Sequence, residues 1–194
     1  MKSLISLVLK DLPYLNGTLP TCLGDISTLG SIAIEQTGIQ GEIPWSRWIR
    51  LFVDRGNIND SWGRGLGFSL VGNLGLYGRA LPEEFPLMDC QIDHLMIESQ
   101  PDLSGNLSST IARCSIKRLV ITDVSLTGDL PLEICEICSL KRLIITRTNL
   151  SKKSIDTFNS KCSKTQHIDL CISKRKGKEL PYGNESKKYK WHVS

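Results

Sequence analysis

Few residues of this chain could carry acid–base, redox or metal chemistry, and their spacing fits no catalytic motif. The 194-residue sequence holds three histidines, His94, His167 and His192, and none of them is coupled to a nucleophile. It contains no Gly-x-Ser-x-Gly, no His-Glu-x-x-His and no dinucleotide-binding fingerprint. We therefore predict that the chain is not an enzyme and that it binds no cofactor and no metal ion.

Cysteine is the reactive side chain that recurs at a fixed interval. Cys135 and Cys138 have the spacing of a redox or zinc pair, so a thiol or metal enzyme that uses these two residues is kept as an alternative. However, Cys90, Cys114, Cys138 and Cys162 lie 24 residues apart, which makes Cys138 one member of a periodic series. The period favours small buried cysteines in successive repeats, and we expect packed thiols rather than disulfides.

A second periodic signal coincides with the cysteines. Near-copies begin at Cys90, Cys114 and Cys138, and each contains an apolar-x-apolar pair such as Leu119-x-Ile121. A phrase of Gly, then Leu or Ile, then Pro recurs at residues 17–20, 41–44 and 128–131. One repeat cannot bury its inward strand residues alone, whereas stacked repeats bury them in a continuous core. The spacing predicts a repeat domain over 1–172 with about seven repeats.

These phrases resemble the plant-type leucine-rich repeat, and the resemblance covers roughly residues 4–172. The family implies an α/β right-handed solenoid, or horseshoe, with a parallel β-sheet on the concave face and short helices, 3-10 turns and loops on the convex face. It occurs in ectodomains of plant receptor kinases and in secreted inhibitor proteins, so it implies binding rather than catalysis. The family usually has Asn after the strand, whereas the matching positions here hold Thr37, Val124 and Thr148, with Asn73 only near its place.

In such a fold the strand residues that are not buried form the concave surface. The repeat register gives a basic column before the core pair, an apolar stripe between the two core residues, and a polar column after them. An apolar stripe with a charged rim is typical of a protein-binding surface. The alternative is that Val and Ile stand there because they suit strands. We predict a protein partner bound by His94, Met96, Glu98, Arg118, Val120, Thr122, Arg142, Ile144, Thr146 and Arg147.

An insertion near 45–67 interrupts the repeats. Its first part, residues 45–53, has apolar residues at helical spacing, and its later glycines indicate a loop. Three tryptophans, Trp45, Trp48 and Trp62, lie in this segment. They either cap a widened core from a longer convex helix or form a protruding aromatic patch for a partner.

The sequence leaves the compartment open. Asn-x-Ser/Thr sequons occur at Asn16, Asn59, Asn106, Asn149 and Asn184, which favours a secreted, glycosylated chain. Against this, the seven cysteines are an odd number, and the apolar stretch at residues 4–9 is short for a signal peptide and indicates a strand. We expect a cytoplasmic chain, or a secreted one if the sequence is the fragment of a longer receptor.

The formal net charge of +4 is located at one end. Residues 173–194 hold seven basic and two acidic side chains, so the repeats before them are close to neutral. We predict a basic C-terminal tail over 173–194, loosely packed and solvated. We therefore expect no nucleic-acid partner. The sequence also has no apolar run of about 18 residues, so we expect no membrane span.

Overall fold

One parallel β-sheet runs through the computed structural model, which describes residues 3–52, 66–87, 90–162 and 169–174. Its strands are Ser6–Thr18 (β1), Ser31–Glu42 (β2), Leu66–Val71 (β3), Gly75–Arg79 (β4), Gln91–Asn106 (β5), Ser115–Thr127 (β6), Arg142–Thr148 (β7) and Asp169–Lys174 (β8). Their order in the sheet is β1-β2-β3-β5-β6-β7-β8, and β4 pairs with β2 and β5. Each repeat therefore adds its strand beside the strand of the repeat before it.

The predicted apolar-x-apolar pairs are the inward residues of these strands. In β6, Leu119 and Ile121 are both 0% exposed, and the equivalent pairs of the neighbouring strands are equally buried. Leu119 lies in register with Leu95 of β5 and with Leu143 of β7. Because successive side chains of a strand point to opposite sides, this burial leaves the alternate residues on the outer face of the sheet.

A left-handed residue ends the outer-face part of five described strands, namely β1, β2, β5, β6 and β7. Gln36, Ser99, Asp123 and Arg147 all have φ between 52° and 55°, and Asp11 has the same conformation in β1. In β1 and β5 the register shifts just beyond this residue, and a second strand segment then pairs with the next repeat. The turn thus separates the outer face of the sheet from what we call the second-segment flank, residues 16–18, 38–42, 104–106 and 125–127 with the adjoining residue 149.

Short helical elements complete the repeats. The α-helices are Trp45–Trp48 (α1) and Lys152–Cys162 (α2), and the 3-10 helices are Thr21–Asp25, Ile49–Phe52, Ser109–Arg113 and Leu132–Glu136. Their inward residues, such as Ile111 and Ile134, belong to the same core cluster as the strand residues. Within the described ranges, no helix is long and apolar enough to cross a membrane.

The insertion buries its first two tryptophans. Trp45 and Trp48 are 8% and 0% exposed, and their rings contact Phe68. Trp48 Nε1 donates to the Pro20 carbonyl at 3.1 Å, and Trp45 Nε1 donates to the Arg79 carbonyl at 2.9 Å. These two residues widen and close the core rather than protrude. Trp62 and the rest of the insertion, residues 53–65, lie outside the described residues.

A buried polar chain links the repeats after their strands, and it corrects one sequence-based statement. Asn73 lies three residues after the core residue Leu70, as Thr37 lies three after Ile34, so it occupies the Asn position itself. Asn73 Oδ1 accepts from Thr37 N at 3.1 Å and from Thr37 Oγ1 at 2.8 Å, and Asn73 Nδ2 donates to the Ile34 carbonyl at 2.7 Å. Asn73 is 0% exposed, so these bonds satisfy groups that water does not reach.

The series of buried polar contacts continues on the other side of Asn73, toward Gln100. With the Gln100 amide oriented to match its neighbours, its nitrogen donates to the Asn73 carbonyl at 2.6 Å, and its oxygen accepts from Asn73 N at 2.9 Å. Gln100 pairs in register with Val124. Because the valine side chain has no hydrogen-bonding group, the series of buried polar contacts ends at Gln100. Thr148 follows in the next repeat, and its hydroxyl has no partner among the residues that the structure describes.

The expectation of packed thiols is wrong for four cysteines. The structure joins Cys90 to Cys114 and Cys135 to Cys162 in disulfides. The 24-residue period explains the first pair, because it places the two Cα atoms on adjacent repeats at 4.5 Å, within the range that a disulfide needs. Cys138 belongs to the same periodic series, but it is exposed and carries a free thiol.

Candidate protein-binding surface

The predicted site residues are brought together on the outer face of β5, β6 and β7. The register aligns them in three rows that run across the strands, and we call this surface the sheet face. The rows are His94, Arg118 and Arg142; Met96, Val120 and Ile144; and Glu98, Thr122 and Thr146. The equal 24-residue repeat places chemically similar side chains side by side on neighbouring parallel strands.

The first row is basic and lies at the amino ends of the strand segments. Arg118 is exposed, whereas His94 is half-buried. Burial lowers the pKa of His94, Asp93 opposes that shift, and Arg118 adds to it. A Cβ added to Gly67 of β3 would lie 2.5 Å from Cε1 and Nε2 of the His94 ring, so glycine at that position makes room for the imidazole. The row therefore presents an arginine charge beside a histidine whose neutral form burial favours by lowering its pKa.

The second row is less exposed than the sequence predicts. Met96 and Ile144 are half-buried, but Val120 is only 4% exposed. The expectation that Val120 belongs to an exposed apolar stripe is therefore wrong. All three strands have neighbours on both sides in the sheet, so the difference lies in the side chains, since the short valine side chain reaches less far outward than Met or Ile. Met96 and Ile144 remain as two separate apolar contacts.

The third row is polar and partly linked by hydrogen bonds. Thr146 Oγ1 donates to Thr122 Oγ1 at 3.2 Å. Burial raises the pKa of the Glu98 carboxyl, Arg147 opposes that shift, and the carboxylates of Glu35 and Asp123 add to it. The row thus contains one half-buried carboxyl group and two hydroxyl groups that are already partnered.

Arg147, the last predicted site residue, lies beside this row in the left-handed position. Its guanidinium forms an ion pair with Asp123, with 2.6 Å between Nη2 and Oδ2. Since Asp123 is the equivalent residue of the preceding repeat, the pair connects two left-handed turns. Arg147 therefore has an internal partner, while its side chain is still exposed enough to contact another molecule.

Sequence reasoning missed the outer-face residues of β1 and β3, which lie in the same sheet as the sheet face. Lys10 of β1 pairs with Glu35 of β2 at 3.1 Å, and this hydrogen-bonded carboxylate raises the pKa of Lys10. Ser69 of β3 donates to Glu35 Oε1 at 3.4 Å and contacts Met96 Sδ at 3.7 Å. The signal that could have identified Ser69 is Phe68-x-Leu70, because the residue between two core residues must point outward.

The structure does not bond Cys135 to Cys138. Cys135 is bonded to Cys162 of α2, and Cys138 is a free, exposed thiol. Within the described part of the chain, no group of three or more His, Cys, Asp or Glu side chains could hold a metal ion.

Comparisons with known proteins show the fold alone. A chain from the crystal structure of the Arabidopsis receptor kinase HAESA, in complex with the peptide hormone IDA and the co-receptor SERK1, is similar with a TM-score of 0.59 and 22% identity over 77% of this chain. This chain spans 22% of that one. On this likeness, the fold is that of a leucine-rich-repeat-like protein.

Two further solved structures are more distantly similar. The plant peptide hormone receptor RGFR1 in complex with RGF2 has a TM-score of 0.49 and 20% identity, over 70% of this chain and 20% of that one. The BIR2 ectodomain from Arabidopsis thaliana has a TM-score of 0.39 and 19% identity, over 74% of this chain and 55% of that one. Comparison with protein-family models gave no match, and neither did comparison with curated proteins.

Proposed function

We propose that this chain is a non-catalytic protein-interaction module that binds a protein or peptide on the sheet face of β5, β6 and β7. The observation that carries the proposal is the register, which sets a basic, an apolar and a polar row side by side on one surface. Mixed rows of this kind suit a partner that is fixed by charge at one edge and by apolar contact at the centre.

We also propose that the repeats belong to the plant-type 24-residue subclass and curve into a right-handed horseshoe, so that the sheet face is concave. The 24-residue offsets from His94 to Arg118 and from Arg118 to Arg142 support the subclass. The supporting feature for the curvature is that the sheet side holds extended strands, while the other side holds 3-10 turns. The division into repeats over 1–172 and a basic tail over 173–194 stays part of this proposal.

The chemistry of the sheet face indicates the chemistry of the partner. Arg118 offers an exposed guanidinium, which is suited to binding a carboxylate through two parallel hydrogen bonds. Met96 and Ile144 then offer apolar contact next to it. A peptide or protein segment that carries an acidic side chain beside an apolar one matches this order. The similar structure of HAESA contains a peptide hormone and a co-receptor, which supports a peptide or protein as the partner of this chain.

A binding measurement on matched variants tests the proposal. The partner is captured from an extract of the native cells, purified, and titrated against each variant. Arg118→Glu should weaken binding by at least about tenfold, and Met96→Lys with Ile144→Lys should do the same. Arg113→Glu is the matched control, because Arg113 is exposed but lies on the 3-10 helix Ser109–Arg113.

Equal affinity of the Arg118 and Arg113 variants for the partner would show that binding occurs elsewhere. Val120 is left unchanged in this experiment, because a lysine at a position that is 4% exposed would disturb the fold itself.

A second candidate is a fragment of a plant-type receptor or of a secreted recognition protein that binds an extracellular ligand. The two disulfides favour it, since disulfides persist mainly in oxidising compartments. Reading the complete gene separates the two candidates. A secretion signal upstream of the repeats supports the second candidate, and a complete coding sequence without one supports an intracellular module.

A further inference from the structure

Three asparagines in the described residues stand in Asn-x-Ser/Thr sequons, and all three side chains are exposed. They are Asn16, Asn106 and Asn149. The other described asparagines, Asn73 and Asn159, are buried and half-buried, and neither is followed by a sequon. Each described asparagine that stands in a sequon is therefore exposed, and each described asparagine outside a sequon is not. We propose that Asn16, Asn106 and Asn149 are modification sites that carry N-linked glycans.

The three asparagines lie beyond the left-handed turns, away from the sheet face. Asn16 pairs in register with Gly38, and Asn106 pairs with Thr127, both in second strand segments. The backbone N–H of Asn149 donates to the Leu126 carbonyl at 2.9 Å, directly beside Thr127. Asn106 and Asn149 thus lie on either side of one repeat, about 10 Å apart by two strand spacings. Glycans there would occupy the second-segment flank and leave the three rows of the sheet face uncovered.

The local contacts leave the reactive nitrogen of Asn106 available. Its Oδ1 accepts a hydrogen bond from Thr127 Oγ1 at 3.2 Å, and this bond does not use Nδ2. In the modification, Nδ2 forms a bond to C1 of an oligosaccharide and loses one proton. The bond from C1 to the phosphate of a polyisoprenoid-pyrophosphate donor breaks, and the lipid pyrophosphate leaves. A transferase of the secretory pathway supplies the catalysis, so no catalytic residue of this chain is required.

The disulfides provide an independent reason to place the chain in the compartment where this transfer occurs. Cys90 and Cys114 are both nearly inaccessible, at 3% and 2% exposure, and they are bonded to each other. Disulfides form in the same oxidising secretory compartments in which sequons are modified. This argument uses buried residues of the core, whereas the sequon argument uses exposed residues of the flank. The inference does not depend on the proposed binding function.

Mass spectrometry of the protein isolated from its native cells tests the inference. A peptide-N-glycosidase releases N-linked glycans and converts each occupied Asn into Asp, so peptides are compared before and after treatment. We expect conversion at residues 16, 106 and 149, while the peptides with Asn73 and Asn159 stay unchanged. Unmodified asparagine at all three sequons in the native protein would overturn the proposal.

A pair of variants at Asn16 separates the sequon chemistry from local structure. Thr18 is exposed and supplies the hydroxyl of the first sequon. Thr18→Ala should abolish the glycan at Asn16, and Thr18→Ser should retain it, while the other two sites are unaffected in both. The chain is expressed with a secretion signal, and occupancy is read peptide by peptide. A glycan on Asn16 in the Thr18→Ala variant would contradict the assignment.

Discussion

Asn73 offers the most direct test of how the repeats are held together. The change Asn73→Ala removes the three hydrogen bonds to Thr37 and Ile34 at a position that is 0% exposed. The backbone N–H and the hydroxyl of Thr37 and the carbonyl of Ile34 then lose these partners where water cannot replace them. A buried group left without a partner costs about 1–3 kcal/mol. Three such groups, at about 1 kcal/mol each, give an expected loss of about 3 kcal/mol in the free energy of unfolding.

Urea denaturation followed by circular dichroism measures this loss. With a denaturant slope of about 2 kcal/mol per molar urea, the midpoint should fall by about 1.5 M at an unchanged slope. The matched control is Asn159→Ala in α2, where alanine also favours the helix and the change should stay within about 0.5 kcal/mol. A loss below about 1 kcal/mol for Asn73→Ala would refute the buried polar chain as a link between repeats.

Two further predictions concern the left-handed turns and the basic row. Ser99→Gly should stabilise the fold by about 1 kcal/mol, because φ at Ser99 is 54° and glycine adopts this conformation without a Cβ clash. Ser115→Gly in the extended strand β6 should instead destabilise it in the same urea experiment, and equal effects would contradict the argument. The folded-state pKa of His94 lies below its usual value of 6.5, so the unfolded chain takes up the proton first as the pH falls. Stability should therefore decrease as the pH falls through 6.5, and His94→Asn should remove that part of the slope; an unchanged slope would show that His94 is not desolvated.

The strand register is the part of the fold that the sequence predicted best. Parallel strands of equal repeat length place equivalent residues side by side, so the 24-residue period was sufficient to align the rows of β5, β6 and β7. The period is broken between β2 and β3, where Ser31 pairs with Gly67 across the insertion. The core pair Phe68 and Leu70 still aligns with Ile32 and Ile34, because burial of both residues fixes the face of the strand.

Exposure within a row could not be predicted from the sequence. Met96, Val120 and Ile144 occupy the same register position, and a pattern of apolar residues treats them as equivalent. Their exposure differs because it depends on the length of each side chain and on its neighbours across two strands. The burial of Val120 therefore follows from packing against the neighbouring strands, which the repeat pattern does not contain. The role of Asn73 was missed for a different reason, since its partners are 36 and 39 residues away in the sequence.

The cysteines show where the information in a repeat period ends. The period places Cys90, Cys114 and Cys138 at equivalent positions of successive repeats, and adjacency of the first two follows from strand spacing alone. Whether two adjacent cysteines bond depends on the direction of each side chain, which the period does not contain. Cys90 and Cys114 face each other in the core, whereas Cys138 faces solvent, and its near neighbour Cys135 reaches α2 instead. The period therefore predicts which backbone positions lie side by side, whereas the direction of each side chain and the position of α2 decide which cysteines bond.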